Sequence, residues 1–139
     1  MKRLTISLGR VCLPTEQRDP TRTPEASFRY IDIAALDRTS KRITSAPEIR
    51  GGDAPSRARK AVRAGDVLVS TVRPNLNAVA VVPLELDGQI ASTGFCVLRA
   101  DPRLVHNRYI FYRCITPEFV SQLVGQMRGA HYPAVSDGV

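Results

Sequence analysis

The sequence predicts an α+β fold in a single domain that takes up residues 1–139, and three observations lead to this prediction. Hydrophobic residues make up 43% of the chain and charged residues 24%, the composition of a globular domain with its own core. Short apolar runs bounded by turn residues fill the middle of the chain, as β-strands do. In the last third, apolar residues recur at helical spacing instead. We therefore expect a sheet followed by a few short helices, mainly in the C-terminal third.

The clearest strand follows a turn at Gly65. Residues 66–71 (DVLVST) form a short apolar run, and residues 78–82 (AVAVV) form a second run that we expect to pair with it as a hairpin. Pro74 lies in the tip between them and lacks the N–H that a strand ladder needs. Further strands, which continue a β-meander, are predicted at residues 30–36, 90–93 and 95–98.

Two loops interrupt this pattern. Residues 13–27 and 45–56 combine prolines with polar residues, and the second stretch also contains Gly51-Gly52, so we expect no regular structure in either. Residues 56–62 (SRARKAV) are predicted as one helical turn or coil.

Two helices are predicted after residue 100. Each starts where a capping oxygen precedes a proline, at Asp101-Pro102 and at Thr116-Pro117. Gly129 is well placed to end the second helix. We expect the apolar residues of both helices to pack against the sheet.

Positive charge is concentrated in one segment. The chain has 20 basic and 13 acidic residues, a net charge of +7. Residues 38–73 hold nine of the basic and three of the acidic residues, so this segment accounts for six of the seven charges. Such a field favours a polyanionic partner, although a solvated basic loop has the same composition. Seventeen of the basic residues are arginines, whose planar fork suits phosphate and guanine, although a GC-rich coding bias gives the same excess.

The sequence lacks the common catalytic signatures. A restriction-type nuclease needs an acid-x-Lys pair beside its magnesium ion, but Thr39 and Ala58 stand two positions before Lys41 and Lys60. The glycine-rich cofactor loop of a methyltransferase, the P-loop and the GxSxG elbow are also missing. We therefore expect a binding protein without catalytic residues, metal or cofactor.

The cysteines and histidines indicate no metal site. Cys12, Cys96 and Cys114 are far apart and form no CxxC pair, so we expect reduced, mostly buried thiols. His106 and His131 lie near no cysteine or acid at ligand spacing. No apolar stretch is long enough for a signal peptide or a membrane span, which predicts a cytoplasmic protein without a membrane partner.

Several sequence blocks together resemble a known family. They are FRYIDIAALDRTSKRI from Phe28, APSRARKAVRAGDVLVSTVRPNLNAVAVVP from Ala54, IASTGFCVLRADP from Ile90, YIFYRCITPEFVSQL from Tyr109 and GAHYPAVS from Gly129. With these blocks in this order, the chain resembles the target recognition domain of type I restriction-modification specificity subunits. The resemblance implies an α+β fold with a twisted, largely antiparallel sheet, in agreement with the strands and helices predicted above.

The resemblance also implies a function and partners. Specificity subunits are non-catalytic and supply DNA sequence specificity to methyltransferase and restriction subunits, and each target recognition domain binds one half of a bipartite duplex target. Long spacer helices normally separate two such domains. This chain resembles one domain without the spacer helix or the second domain, as in a truncated gene product, an excised fragment or a half-subunit. A half-subunit would form a homodimer or pair with a second half-subunit. Two alternatives stay open: a remnant that binds methylation subunits without DNA, and a non-specific nucleic-acid-binding module.

On that fold the basic segment supplies the candidate DNA contacts. Arginine and asparagine can fork onto guanine and adenine edges, whereas cations against the backbone set register and salt dependence. Phosphate contacts are expected from Arg57, Arg59, Lys60 and Arg63, with weaker candidates at Lys41, Arg42 and Tyr132. Base contacts are expected from Arg73, Asn75 and Asn77, and either kind from Thr71. The alternative for each is that it braces the sheet, while residues 13–27 and 44–53 choose the bases.

Overall fold

A computed structural model describes residues 10–127 of the chain. The α+β prediction is confirmed: the strands form two four-stranded sheets and a two-stranded ribbon, and two α-helices follow them. The strands are β1 (Cys12–Leu13), β2 (Ser27–Ile31), β3 (Leu36–Asp37), β4 (Arg42–Ile43), β5 (Glu48–Arg50), β6 (Ala58–Ala61), β7 (Val67–Ser70), β8 (Val79–Val81), β9 (Ile90–Ser92) and β10 (Phe95–Ala100). The helices are α1 (Asn107–Cys114) and α2 (Pro117–Met127). Tyr132 and the predicted helix end at Gly129 lie outside the described residues.

The first sheet is antiparallel throughout, in the order β1-β10-β7-β8. Every residue of β7 is buried, because one face of this sheet packs on the second sheet's core and the other on the helices. The predicted hairpin is confirmed, since Val67 pairs with Val81 and Val69 with Val79. Phe119 and Leu123 of α2 pack in the same apolar cluster as these strands.

The second sheet has the order β5-β2-β9-β6, with β2 and β9 parallel and the other pairs antiparallel. Two of its strands were not predicted. The sequence of β6 was expected to be helical turn or coil, but its side chains alternate between buried (Ala58, Lys60) and half-buried (Arg59, Ala61). This alternation was missed because one inward residue is a lysine. Similarly, β5 lies in a stretch expected to be irregular, and only Ile49 of its three residues is apolar.

A short turn at Thr93-Gly94 carries the chain from one sheet to the other. The predicted β-meander is therefore wrong at this point, because β9 pairs with β2 and β6 whereas β10 pairs with β7. Gly94 lies against the end of the Ile33 side chain, so a Cβ at this position would require that side chain to shift. The crossing brings the ends of four strands together, and this region is where most of the candidate side chains lie.

The two helices differ in how well their starts were predicted. α2 begins at Pro117 as expected, and Thr116 Oγ1 accepts a hydrogen bond from the Phe119 amide at 3.2 Å. α1 begins at Asn107 instead of Pro102. Asp101 does accept from the Arg103 amide, as a capping residue would, but only one turn follows, in which the Leu104 and Val105 amides donate to the Asp101 carbonyl. His106 caps α1, with Nδ1 accepting from the Arg108 amide at 3.1 Å. Neither helix is long and apolar enough to span a membrane, as far as the described residues extend.

The strand that opens the second sheet is also shifted from its predicted place. β2 spans Ser27–Ile31 instead of residues 30–36. Asp32 then ends it, because its Oδ1 accepts from the Ile33 amide at 2.8 Å and starts a 3-10 turn over Ile33–Ala35. The irregular prediction for residues 13–27 holds apart from β1 and a 3-10 turn at Pro20–Arg22, which packs against the 3-10 turn Gly51–Asp53.

Candidate nucleic-acid interface

One end of the molecule gathers most of the candidate side chains. We call it the loop end, and it consists of Arg57, the β3–β4 turn at residues 38–41, the hairpin tip at residues 71–77 and the crossing turn at residues 92–95. The Thr93 amide donates to the Arg57 carbonyl at 2.8 Å, and the Thr71 amide and hydroxyl donate to the Gly94 carbonyl at 2.9 and 3.0 Å. These bonds tie both sheets together at this end.

Three predicted contact residues at the loop end are exposed. Arg57, Arg73 and Asn75 all project into solvent. Within residues 10–127 their side chains make no hydrogen bond or ion pair, in contrast to those of Arg29, Arg50, Arg59, Arg99 and Arg103. Arg38 in the β3–β4 turn is exposed in the same way, and sequence analysis counted it in the basic segment without giving it a role. These side chains remain available to an anionic partner.

A basic groove adjoins the loop end. It has a volume of about 570 Å³ and runs between the β3–β4 ribbon, β8 and α1. Lys41, Arg42 and Arg108 line it together with a single acid, Glu85, so its charge is positive. The pKa of Lys41 is lowered by partial burial and, to a smaller extent, by the nearby charge of Arg38. Arg108 was missed in the sequence because it lies on a helix far from the basic segment.

Lys60 and Thr71 face the interior, unlike the exposed candidates, and their contacts with DNA stay predictions. Lys60 is 7% exposed, and its ammonium donates to the Phe95 carbonyl at 2.7 Å. Thr71 is 5% exposed and its hydroxyl bonds to Gly94. Neither side chain can contact DNA without leaving these partners, because burial removes them from the surface. Both brace the crossing between the sheets.

Asn77 and Lys41 are bonded to each other. Lys41 Nζ donates to the Asn77 backbone oxygen at 2.6 Å and to Asn77 Oδ1 at 3.0 Å. The Asn77 amide also donates to the carbonyl of Cys114, the last residue of α1, at 2.9 Å. The base contact by Asn77 stays a prediction, and its side-chain amide already has one partner on the oxygen and one on the nitrogen.

Two further arginines that were predicted to contact phosphates lie away from the loop end. Arg59 is half-buried beside β6, where its guanidinium donates to the Ala58 carbonyl at 2.9 Å and lies 3.6 Å from Asp19. Arg63 lies beyond the other end of β6, and its guanidinium is 3.6 Å from Glu16. The basic segment consequently does not form one continuous patch.

The opposite end of the molecule, which we call the acid end, pairs its arginines with carboxylates. Asp66 is 1% exposed and forms two bonds of 2.9 Å with Arg99, while the Arg63 amide donates to the same carboxylate at 2.8 Å. Hydrogen bonding to Asp66 raises the pKa of Arg99 above its usual value. Glu16 lies 3.9 Å from Arg99 on the solvent side. Asp66, which directly follows the turn at Gly65, therefore anchors this ion pair.

Aromatic side chains offer little surface for stacking on bases. Five of the seven Phe and Tyr residues that the structure describes are buried: Phe28, Tyr30, Phe95, Phe111 and Phe119. The two exposed ones, Tyr109 and Tyr112, lie three residues apart on α1. Single-strand-binding surfaces normally present several aromatics for stacking, so the described part of the chain has few of the groups that such a function uses.

The three cysteines form no disulfide within the described residues. Cys114 is buried and the other two cysteines are half-buried. Burial raises the pKa of Cys114 to about 12, so this thiol stays protonated at neutral pH. Among residues 10–127, no three His, Cys, Asp or Glu side chains come together as a metal-binding group.

Two solved structures have an architecture similar to that of this chain. A chain from a solved structure on complex assembly and conformational transition of the type I R-M system matches with a TM-score of 0.91 and 51% identity, over 96% of this chain and 34% of that one. The HsdS subunit from Thermoanaerobacter tengcongensis matches with a TM-score of 0.89 and 50% identity, over the same shares of the two chains. This chain is therefore a relative of type I specificity subunits and corresponds to about one third of such a subunit.

A curated relative agrees with these structures. The specificity subunit of the type I restriction enzyme HindI from Haemophilus influenzae is 28% identical over 86 residues, which are 60% of this chain and 19% of that subunit. No family model matches the chain. The resemblance stated from the sequence blocks is confirmed by these relatives, and so is the fold that it implied.

Proposed function

We propose that this chain is one target recognition domain, which binds one half of a bipartite duplex DNA target for the methyltransferase and restriction subunits of a type I system. The match to about one third of two HsdS-type chains supports a single domain of this kind. The observation that carries the DNA-binding role is the loop end, where Arg57, Arg73 and Asn75 are exposed without partners inside the described residues.

The chemistry of these side chains suits both parts of DNA recognition. Arg73 and Asn75 lie in one hairpin tip, and their planar groups can pair with guanine and adenine edges in the major groove. Arg57, Arg42 and Arg108 present unpaired or groove-lining guanidinium groups, which suit phosphates. The proposal gives the chain no catalytic role, so cleavage and methylation belong to the partner subunits.

The test is a selection from a random-sequence duplex library with the full chain. We expect enrichment of a short motif and tighter binding to that motif than to scrambled duplex. Single-stranded DNA and RNA serve as competitors. Equal affinity for all duplexes would instead indicate a non-specific module, and preferential binding to single strands would remove duplex recognition altogether.

One observation favours an additional role in protein binding. Tyr109 and Tyr112 of α1 are 56% and 58% exposed, and Leu104 just before the helix is 62% exposed. Tyrosine is enriched at protein interfaces, where its ring provides apolar area and its hydroxyl a polar tip. We propose that this face of α1 contributes to binding of a methylation subunit.

Co-purification with a type I methyltransferase subunit tests this second role. The Tyr109→Ser and Tyr112→Ser double variant should lose most of the bound methyltransferase while its affinity for DNA stays unchanged. Retention of the methyltransferase by the double variant would remove this face of α1 from the interface.

A further inference from the structure

The hairpin tip that carries Arg73 and Asn75 has an unusual backbone. Three non-glycine residues of the described chain have positive φ: Lys41 at 57°, Arg73 at 50° and Asn77 at 51°. Asparagine tolerates this left-handed region, whereas lysine and arginine adopt it less readily because of their Cβ. All three lie at the loop end, and Lys41 is bonded directly to Asn77. Backbone strain that collects at one place is characteristic of functional sites, provided that the surroundings hold it.

Hydrogen bonds among three separate elements keep these residues in their strained conformation. Lys41 in the β3–β4 turn donates two hydrogen bonds to Asn77, and the Asn77 amide donates to Cys114 at the C-terminus of α1. The last carbonyls of a helix have no partner within the helix, so the Asn77 amide satisfies one of them. The Lys41 charge also lies near the negative end of the helix dipole, which is the favourable sign.

The other side of the tip is supported as well. The 3-10 turn Pro74–Leu76 packs against α2, and the Leu76 amide donates to the Arg73 carbonyl at 3.0 Å. At its base, the Ser70 hydroxyl donates to the Val72 carbonyl at 2.8 Å. The tip is thus anchored at its base, at Asn77 and along α2, while Arg73 and Asn75 stay exposed.

We propose that Lys41 and Asn77 are positioning residues, which lock the hairpin tip so that Arg73 and Asn75 are presented to DNA in one fixed geometry. The proposal rests on the proposed DNA-binding function. Ordering the tip before binding lowers the entropic cost of association and lets a base contact discriminate, because a misplaced guanidinium cannot form two bonds with guanine. Lys41 and Asn77 therefore affect selectivity through other residues, without touching a base.

Asn77→Gly separates the side chain of Asn77 from its backbone conformation. Glycine adopts positive φ without steric cost, so this variant permits the same turn and removes the Asn77 side chain with its amide group. If Asn77 were present only to allow the turn, Asn77→Gly would leave DNA selectivity unchanged. If the side-chain amide of Asn77 positions the tip, DNA selectivity falls in Asn77→Gly, even though glycine relieves the steric cost of the positive φ.

Lys41→Met removes the ammonium and keeps an apolar stem of similar length. Its matched control is Arg42→Met, which removes one charge from the neighbouring position, where the side chain is exposed and lines the same groove. Lys41→Arg restores a cationic donor at position 41 and should recover much of the loss.

Two measurements on the full chain decide the proposal. The first is amide hydrogen exchange at Leu76, which should accelerate about tenfold in Asn77→Gly and in Lys41→Met and stay unchanged in Arg42→Met. The second is the ratio of affinities for the selected duplex and a scrambled duplex. We expect this ratio to fall about tenfold in the first two variants, the loss of roughly one base contact, with little change in affinity for the scrambled duplex.

The outcomes separate this proposal from the function on which it rests. Unchanged exchange at Leu76 would overturn the lock, and faster exchange with unchanged selectivity would show that the lock does not serve DNA recognition. In both cases a selective wild-type chain leaves the DNA-binding function standing. A wild-type chain that binds all duplexes equally would overturn both the function and the positioning role.

Discussion

The loop end and the acid end of this molecule carry arginines in similar number but in opposite electrostatic settings. At the acid end, Arg99 is held by Asp66, and Arg63 lies beside Glu16. At the loop end, Arg57 and Arg73 have no carboxylate partner within residues 10–127. The difference lies in where the acids are placed, since Asp66 and Glu16 both lie at the acid end.

The two ends show that a high content of arginine in the sequence does not by itself make a positively charged surface. An arginine that is paired with a buried carboxylate stabilises the fold and adds nothing to the field outside. An exposed arginine without a partner costs the fold little and stays available to phosphate or guanine. We therefore expect substitutions at the acid end to change stability, and substitutions at the loop end to change DNA binding.

The largest effect is expected from Asp66→Ala. This change leaves Arg99, whose side chain is 13% exposed, as a buried charge without its main partner. Removing one partner of a buried ion pair typically costs about 3–5 kcal/mol. Urea unfolding measures the loss, and Glu16→Ala is the control, because its exposed carboxylate should contribute less than about 0.5 kcal/mol. A loss below about 1 kcal/mol for Asp66→Ala would contradict the structural role of the acid end.

A smaller loss of stability is expected from Lys60→Ala. The change removes a buried aliphatic stem and the bond from the ammonium to the Phe95 carbonyl, which together are worth about 2 kcal/mol. Arg57→Ala, three residues earlier and exposed, should change the free energy of unfolding by less than about 0.5 kcal/mol. Thermal or urea unfolding of the two variants compares them directly. If the two variants had the same free energy of unfolding, Lys60 would not stabilise the core and would instead behave as a surface cation.

Arg73→Ala should change recognition without changing stability. If Arg73 binds guanine, its loss lowers discrimination at one base pair by about 1–3 kcal/mol. Alanine keeps the Cβ and so retains the backbone cost of the positive φ, which isolates the effect of the guanidinium. Binding to the selected duplex and to its single-base variants gives the result. A uniform loss across all sequences would assign Arg73 to phosphate contact.

Much of the fold could be predicted because its strands and one helix carry strong local signals. The β7–β8 hairpin follows from two apolar runs around a proline-containing tip, and α2 follows from Thr116-Pro117. β6 could not be predicted in this way, because its inward side chain is Lys60, whose partner Phe95 is 35 residues away. The crossing between sheets was missed for a similar reason, since it depends on the approach of Gly94 to Ile33.

The candidate site was predicted in composition but not in arrangement. Arg73 and Asn75 were named from their types, and both are exposed in the hairpin tip. Residue type could not distinguish them from Asn77, because the bonds of Asn77 to Lys41 and Cys114 join elements that are distant in sequence. Arg108 had no local signal, and it joins Lys41 and Arg42 only through the packing of α1 beside the ribbon.

The smallest effect is expected on the salt dependence of DNA binding, in a comparison of substitutions at the two ends of β6. Arg57 and Arg63 are both exposed arginines that flank this strand, but Arg57 lies at the loop end and Arg63 lies beside Glu16 at the acid end. A cation that neutralises one phosphate contributes about 0.9 to the slope of log affinity against log salt concentration. Arg57→Ala should therefore lower this slope by about one, whereas Arg63→Ala should leave it unchanged. Salt titrations of binding to one duplex measure both slopes. An equal decrease in the two variants would mean that DNA reaches both ends of the molecule, and the distinction between the loop end and the acid end would then describe stability alone.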